Sequence, residues 1–127
     1  MRFYLKSVHD DPEPEDGMRI LVDRLWPRGM SRERLRSDGW EKDLAPSSEL
    51  RRWFRHDPGK WVEFQRRYAL ELDARQGEIA AFIAKVADGR VTLLFAARDR
   101  QHNNAVVLRD YLEQSLSSGA RSGKGRP

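Results

Sequence analysis

Cysteine is absent from this 127-residue chain, which excludes disulfides, thiolate metal sites and thiol nucleophiles. The absence also fits a reducing compartment. Histidine occurs only at His9, His56 and His102, far apart and without metal-ligand spacing such as His-Glu-x-x-His. Neither a metal site nor a cofactor is therefore expected. No Gly-x-Gly-x-x-Gly turn, Walker loop or Gly-x-Ser-x-Gly elbow occurs, which disfavours classical dinucleotide binding, P-loop chemistry and an elbow serine. Ser31, Ser47 and Ser48 are better explained as helix caps than as nucleophiles. No apolar run approaches the ~20 residues that cross a bilayer. The start, Met1-Arg2-Phe3-Tyr4-Leu5-Lys6, lacks the apolar stretch and cleavage site of a signal peptide. The expectation is a cytoplasmic protein with no membrane partner.

What is present can build a core. Charged residues make up 35% and apolar residues 39%, with four Trp, five Phe and three Tyr. General disorder is excluded by that aromatic content, and the length fits one domain. The net charge is +4 and the isoelectric point about 9.8, which raises a nucleic-acid reading. Yet Arg121, Lys124 and Arg126 fall in the acid-free, Ser/Gly-rich stretch Ser117–Pro127. Without those three, 21 basic residues face 20 acidic ones, a net of +1. The reading is one domain over 1–116 and a flexible basic tail over 117–127. Any attraction of the tail to nucleic acid would be weak and nonspecific.

Three apolar runs read as strands: Phe3–Val8, Met18–Leu25 and Val91–Ala97. The last two are continuous rather than alternating, as in strands covered on both faces. Trp40–Leu44 is a weaker fourth. Between the first two, Asp10, Asp11, Glu13, Glu15 and Asp16 cluster with Pro12, Pro14 and Gly17, which reads as an exposed acidic loop without regular structure. Helices are expected at Arg32–Ser37 after a Ser31 cap, and at Glu49–Arg55 after Ser47 or Ser48. Trp61, Phe64, Tyr68 and Leu72 form one helical stripe, and Ile79, Phe82, Ile83 and Val86 form a second. Gly89 suits a helix stop, and Asn103 or Asn104 suits a cap for a last helix bearing Val107, Leu108, Tyr111 and Leu112. Strands interleaved with helices imply an α/β fold: a single compact domain with a central, mostly parallel sheet and helices on both faces.

Ligands of such sheets bind beyond the carboxyl ends of strands. Two strand ends stand out. The first is Val22-Asp23-Arg24-Leu25-Trp26-Pro27-Arg28-Gly29, where an apolar strand runs into charge. Arg24 and Arg28, with Trp26 between them, are candidates for holding a phosphate or carboxylate, and Asp23 for orienting an arginine or moving a proton. The second is Phe95 through Arg98, Asp99, His102, Asn103 and Asn104. Arg98, Asn103 and Asn104 are candidate ligand contacts there, and Asp99 with His102 a candidate proton-transfer pair. Adjacent parallel strands would place both tips on one rim. The bland alternatives are an Asp23–Arg24 ion pair with Trp26 in the core, and an Asn/Asp cap with solvated charges. A third patch, Lys42, Ser47, Ser48, Arg51, Arg52, Arg55 and His56 around Trp53 and Phe54, reads more readily as a solvated basic helix face than as a site for bases and phosphates.

Four ordered segments resemble a known family: Leu21–Gly29, Ala45–Arg51, Trp53–Pro58 continuing through Trp61, Phe64 and Tyr68, and Thr92–Asp99 with His102–Leu108. Together they resemble the YeaO-like branch of the domain of unknown function 488 family, over about Tyr4–Leu116. The resemblance implies a compact bacterial α/β domain and singles out the same two strand ends. It names no substrate.

Three readings stay open. The first is binding of a small anionic ligand of phosphate or nucleotide type, with hydrolase or transferase chemistry undecided. The second is a non-catalytic interaction or regulatory module, and the third a nucleic-acid-associated protein. Oligomeric state is not legible.

Overall fold

The computed structural model describes residues 2–86 and 89–125. Four strands, β1 (Phe3–Ser7), β2 (Met18–Leu21), β3 (Gly39–Trp40) and β4 (Val91–Phe95), form one parallel sheet in the order β1-β4-β2-β3. Among the described residues five α-helices accompany them: α1 (Arg32–Leu35), α2 (Ser48–Phe54), α3 (Trp61–Asp73), α4 (Gln76–Lys85) and α5 (Asn104–Gly125). The α/β domain is the one expected. The last strand enters between the first two, so β2 and β4 are neighbours and their carboxyl ends share a rim.

The helices start and stop for local reasons. Ser31 caps α1 by accepting from the Arg34 N–H, and Ser47 caps α2 by accepting from the Leu50 N–H. Asn103 does the same for α5 through the Val106 N–H. The stripe Phe64, Tyr68 and Leu72 is buried along α3, and Ile79 and Phe82 along α4.

The sheet divides its side chains between two unequal layers. Phe3, Ile20, Leu93 and Phe95 face a large core made with Phe54, Phe64, Tyr68, Leu72, Phe82, Leu108 and Leu112. Leu21 and Leu94 face a thinner layer with Val8, Met30 and Leu35. Because both sides are covered, all five residues of β4 are buried and the strand reads as a continuous apolar run. No helix among the described residues is long and apolar enough to cross a membrane.

Three expectations are corrected. The ladder uses only Gly39–Trp40 of the weaker fourth strand, and Lys42–Leu44 forms a 3₁₀ turn. The acidic loop contains a 3₁₀ turn at Pro14–Asp16, since proline suits a first helical position. Asp16 is buried rather than exposed, because Arg19 and Lys6 neutralise it. Finally, β2 ends at Leu21 rather than Leu25, for a reason that creates the site described below. Helix α5 is continuous to Gly125; Arg126 and Pro127 of the tail lie outside the described residues.

Helix α2 leaves through two successive left-handed residues that are not glycine, Arg55 (φ 50°) and His56 (φ 55°). Each such residue costs about 1–2 kcal/mol. Arg55 is an exposed C-terminal cap. Arg55→Gly is expected to stabilise the domain by about 0.5–1 kcal/mol, read as a rise in urea midpoint at constant slope.

Candidate functional site

At the carboxyl end of the sheet, side chains replace the ladder. Val22 N–H still donates to the Leu94 carbonyl at 3.1 Å. The next parallel bond would run from Ala96 N–H to the Val22 carbonyl. Instead Ala96 N–H donates to Asp23 Oδ2 at 3.0 Å, and the Val22 carbonyl accepts from Asn104 Nδ2 at 3.0 Å. Asn104 Nδ2 also donates to Asp23 Oδ1 at 3.1 Å. Two polar side chains thus satisfy the backbone groups that part here, and the strands part with none of those groups unpaired.

A cleft of about 390 Å³ opens at this point. Its apolar walls include Trp26, Phe54, Phe64, Ala96 and Ala97. Buried Asn103 and half-buried Asp23 and Asn104 form its inner part. Exposed Arg28 and Arg51, with half-buried Arg24, bring positive charge to its outer part, beside exposed His56.

The loop after β2 is held in shape from several sides. Trp40 Nε1 donates to the Asp23 carbonyl at 2.7 Å, and Trp26 Nε1 to the Met30 carbonyl at 2.6 Å. The two indoles meet edge to face, 5.5 Å apart. Arg24 Nε donates to the Pro46 carbonyl at 3.1 Å, tying the loop to the segment before α2.

Burial pushes the Asp23 carboxyl above the usual range. The Ala96 and Asn104 donors and the charges of His56 and Arg51 offset only part of that rise. A carboxyl shifted upward inside a cleft is a recurrent feature of functional sites.

Six of the nine residues singled out in the sequence line this cleft: Asp23, Arg24, Trp26, Arg28, Asn103 and Asn104. Arg98, Asp99 and His102 do not. Asp99 and His102 do pair, at 2.9 Å, but within their own turn. Asp99 also accepts from the Gln101 and His102 N–H groups, each at 2.9 Å. The Gln101 N–H, then the His102 ring and N–H, hold its carboxyl below the ordinary value. The His102 ring stands edge-on to Trp61, 5.2 Å between centroids.

Arg51 and His56 were placed by the sequence in a separate basic patch, and the structure divides that patch. Arg51 and His56 turn into the cleft, Phe54 is buried beneath them, and Trp53 packs under the Lys60 and Arg67 cations. The available signal was the Trp53–Pro58 segment of the resemblance. Among the described residues no group of three or more Asp, Glu or His side chains could hold a metal ion.

A family model described as the inactive DUF488-N3 subclade matches residues 2–126. The chain belongs to that family. It is 41% identical over 114 residues to the uncharacterized protein YeaO of Escherichia coli (strain K12), covering 88% of this chain and 97% of that one. It is 38% identical over 113 residues to the uncharacterized protein Rv3073c of Mycobacterium tuberculosis (strain ATCC 25618 / H37Rv), covering 87% and 93%. The uncharacterized protein Mb3100c of Mycobacterium bovis matches to the same extent. These relatives are bacterial and share the length of the domain. No solved structure matches the chain significantly.

Proposed function

We propose that the cleft binds a small anionic ligand of phosphate or nucleotide type, without turning it over. The observation that carries this reading is the convergence of Arg24, Arg28, Arg51 and His56 on one concave site with aromatic walls. Guanidinium groups match the geometry of phosphate and carboxylate oxygens, and partial exclusion of water strengthens each contact. A volume of about 390 Å³ lies within the range of small-molecule sites. The description of the subclade as inactive supports binding over turnover. In this reading the domain is a sensing or regulatory module.

Calorimetric titration of the full chain with inorganic phosphate and adenosine 5′-monophosphate tests the reading. Arg28→Ala and Arg51→Ala are each expected to weaken binding at least about tenfold, the worth of one charge-assisted contact. Arg66→Ala, which removes an exposed cation paired with Glu63 on α3, is expected to leave binding unchanged. Absence of anion binding, or Arg28 and Arg51 variants that bind like the parent, sinks the proposal. Release of phosphate or base during the titration would restore an enzymatic role.

A further inference from the structure

The charges of the cleft are partitioned, and the partition constrains the ligand beyond its anion. Both Asp23 oxygens already accept one hydrogen bond, from Ala96 N–H and from Asn104 Nδ2, so the geometry is that of a carboxylate. Each oxygen keeps further acceptor capacity. A phosphate in contact with this carboxylate would meet like-charge repulsion that a partly shielded site strengthens over that in water. The anion must therefore sit outward, at the exposed Arg28, Arg51 and His56. Whatever reaches Asp23 must donate hydrogen bonds. An ammonium is disfavoured there, because four cationic or potentially cationic side chains already line the same cleft. Neutral donors remain, and two adjacent ones match the two oxygens of a carboxylate. The dimensions favour donors close to the anion: Asp23 and Arg28 belong to one short loop, and the volume is at the small end for ligand sites. Vicinal sugar hydroxyls near a phosphate meet all of these conditions, and the apolar face of a sugar ring suits the Trp26 and Phe54 walls.

We propose that Asp23 reads the hydroxyl groups of a phosphorylated sugar, free or as part of a nucleoside phosphate, while Arg28 and Arg51 hold its phosphate. This rests on the anion-binding reading above and adds a specificity residue and a substrate class to it.

The test compares ribose 5-phosphate, ethyl phosphate and adenosine 5′-monophosphate by calorimetry on the full chain. Ethyl phosphate carries the anion without hydroxyls. Ribose 5-phosphate is expected to bind at least about tenfold tighter than ethyl phosphate, the lower end for hydrogen bonds to a charged group. Asp23→Asn is expected to bring ribose 5-phosphate to the level of ethyl phosphate while leaving ethyl phosphate as tight or tighter. Adenosine 5′-monophosphate tighter than ribose 5-phosphate assigns the nucleoside form, and equal or weaker binding assigns the free sugar phosphate. Equal binding of ribose 5-phosphate and ethyl phosphate to the parent overturns the proposal while leaving anion binding standing, and so does discrimination that survives Asp23→Asn. If the parent binds neither, both readings fall. The comparison on the parent can overturn the proposal even if Asp23→Asn does not fold.

Discussion

Arg19→Ala is expected to destabilise the domain by about 3–5 kcal/mol, the usual cost of breaking a buried ion pair from one side. Arg19 and Asp16 are 4% and 5% exposed, and they are the two buried charged residues among the described residues. The guanidinium uses three donors: Nη1 to Asp16 Oδ2 at 2.5 Å, Nη2 to the Leu35 carbonyl at 2.7 Å and Nε to the Arg36 carbonyl at 3.1 Å. Its own backbone pairs with Asp38 on both sides, N–H to Oδ2 at 2.8 Å and carbonyl from the Asp38 N–H at 2.6 Å. One side chain thus fastens the acidic turn, β2 and the end of α1. Alanine leaves the buried Leu35 carbonyl and the part-buried Arg36 carbonyl without their Arg19 donor. Lys6 still meets Asp16 at 2.9 Å, so the carboxylate is not stranded, which favours the lower half of that range. The melting temperature is expected to fall by more than about 10 °C.

The same cluster predicts an acid dependence. Burial alone would raise the Asp16 carboxyl. The Lys6 hydrogen bond, the Glu13 N–H and the Arg19 hydrogen bond outweigh it, and the group ends below its ordinary 3.8. Asp10 is also lowered, chiefly by its hydrogen bonds to Arg100, with burial working against them. A carboxyl lowered on folding stabilises above its unfolded value and loses that stabilisation as pH falls through the folded value. Stability is therefore expected to decline as pH drops below about 3.8, and Arg19→Ala is expected to show a shallower decline. The parent and variant having the same acid slope in urea titrations would assign the effect elsewhere.

The elements were legible because their patterns are strong. The stripe from Trp61 to Leu72 and the run Val91–Phe95 leave few alternatives. The insertion of β4 between β1 and β2 was not legible, since strand order depends on contacts between distant segments. Part of the cleft followed from the rule that strand ends carry sites, which found Asp23, Arg24, Trp26, Arg28, Asn103 and Asn104. His56 was not assigned to it because it follows α2 through two left-handed residues, Arg55 and His56, that no glycine announces, and Arg51 was not because the packing of α2 beside the strand ends is a contact between distant segments. Conversely, Asp99 and His102 read as a reactive pair from spacing alone. In the structure the spacing closes a turn, whose N–H groups occupy the carboxylate. Polar residues at a strand end serve either the ligand or the backbone, and only the hydrogen bonds tell which. Asp23 serves the backbone through Ala96 and keeps acceptor capacity facing the cleft, which is why it carries the specificity argument.

Gly17→Ala is expected to cost about 2–5 kcal/mol, and the contrast with Gly29→Ala isolates the cause. Both glycines have positive φ, 66° and 73°. A Cβ at Gly29 meets nothing within 4 Å, so only backbone strain of about 1–2 kcal/mol is expected there. A Cβ at Gly17 would lie 2.2 Å from the Arg90 carbonyl oxygen and 2.9 Å from its carbon, atoms of the backbone that cannot rotate away. That same oxygen accepts the Met18 N–H at 3.0 Å, which sets β2 against β4 with Met18 opposite Val91 and Leu21 opposite Leu94. The register then carries Val22 to Leu94 and brings Asp23 to Ala96 at the far end. The clash adds about 1–3 kcal/mol of overpacking to the strain, and its relief requires moving the strand that places Asp23. Gly17→Ala is therefore expected to lower both the urea midpoint and the affinity for phosphate compounds, whereas Gly29→Ala lowers the midpoint modestly. Equal losses of stability in the two variants would show that strain alone is being measured and that the Arg90 contact relaxes without cost.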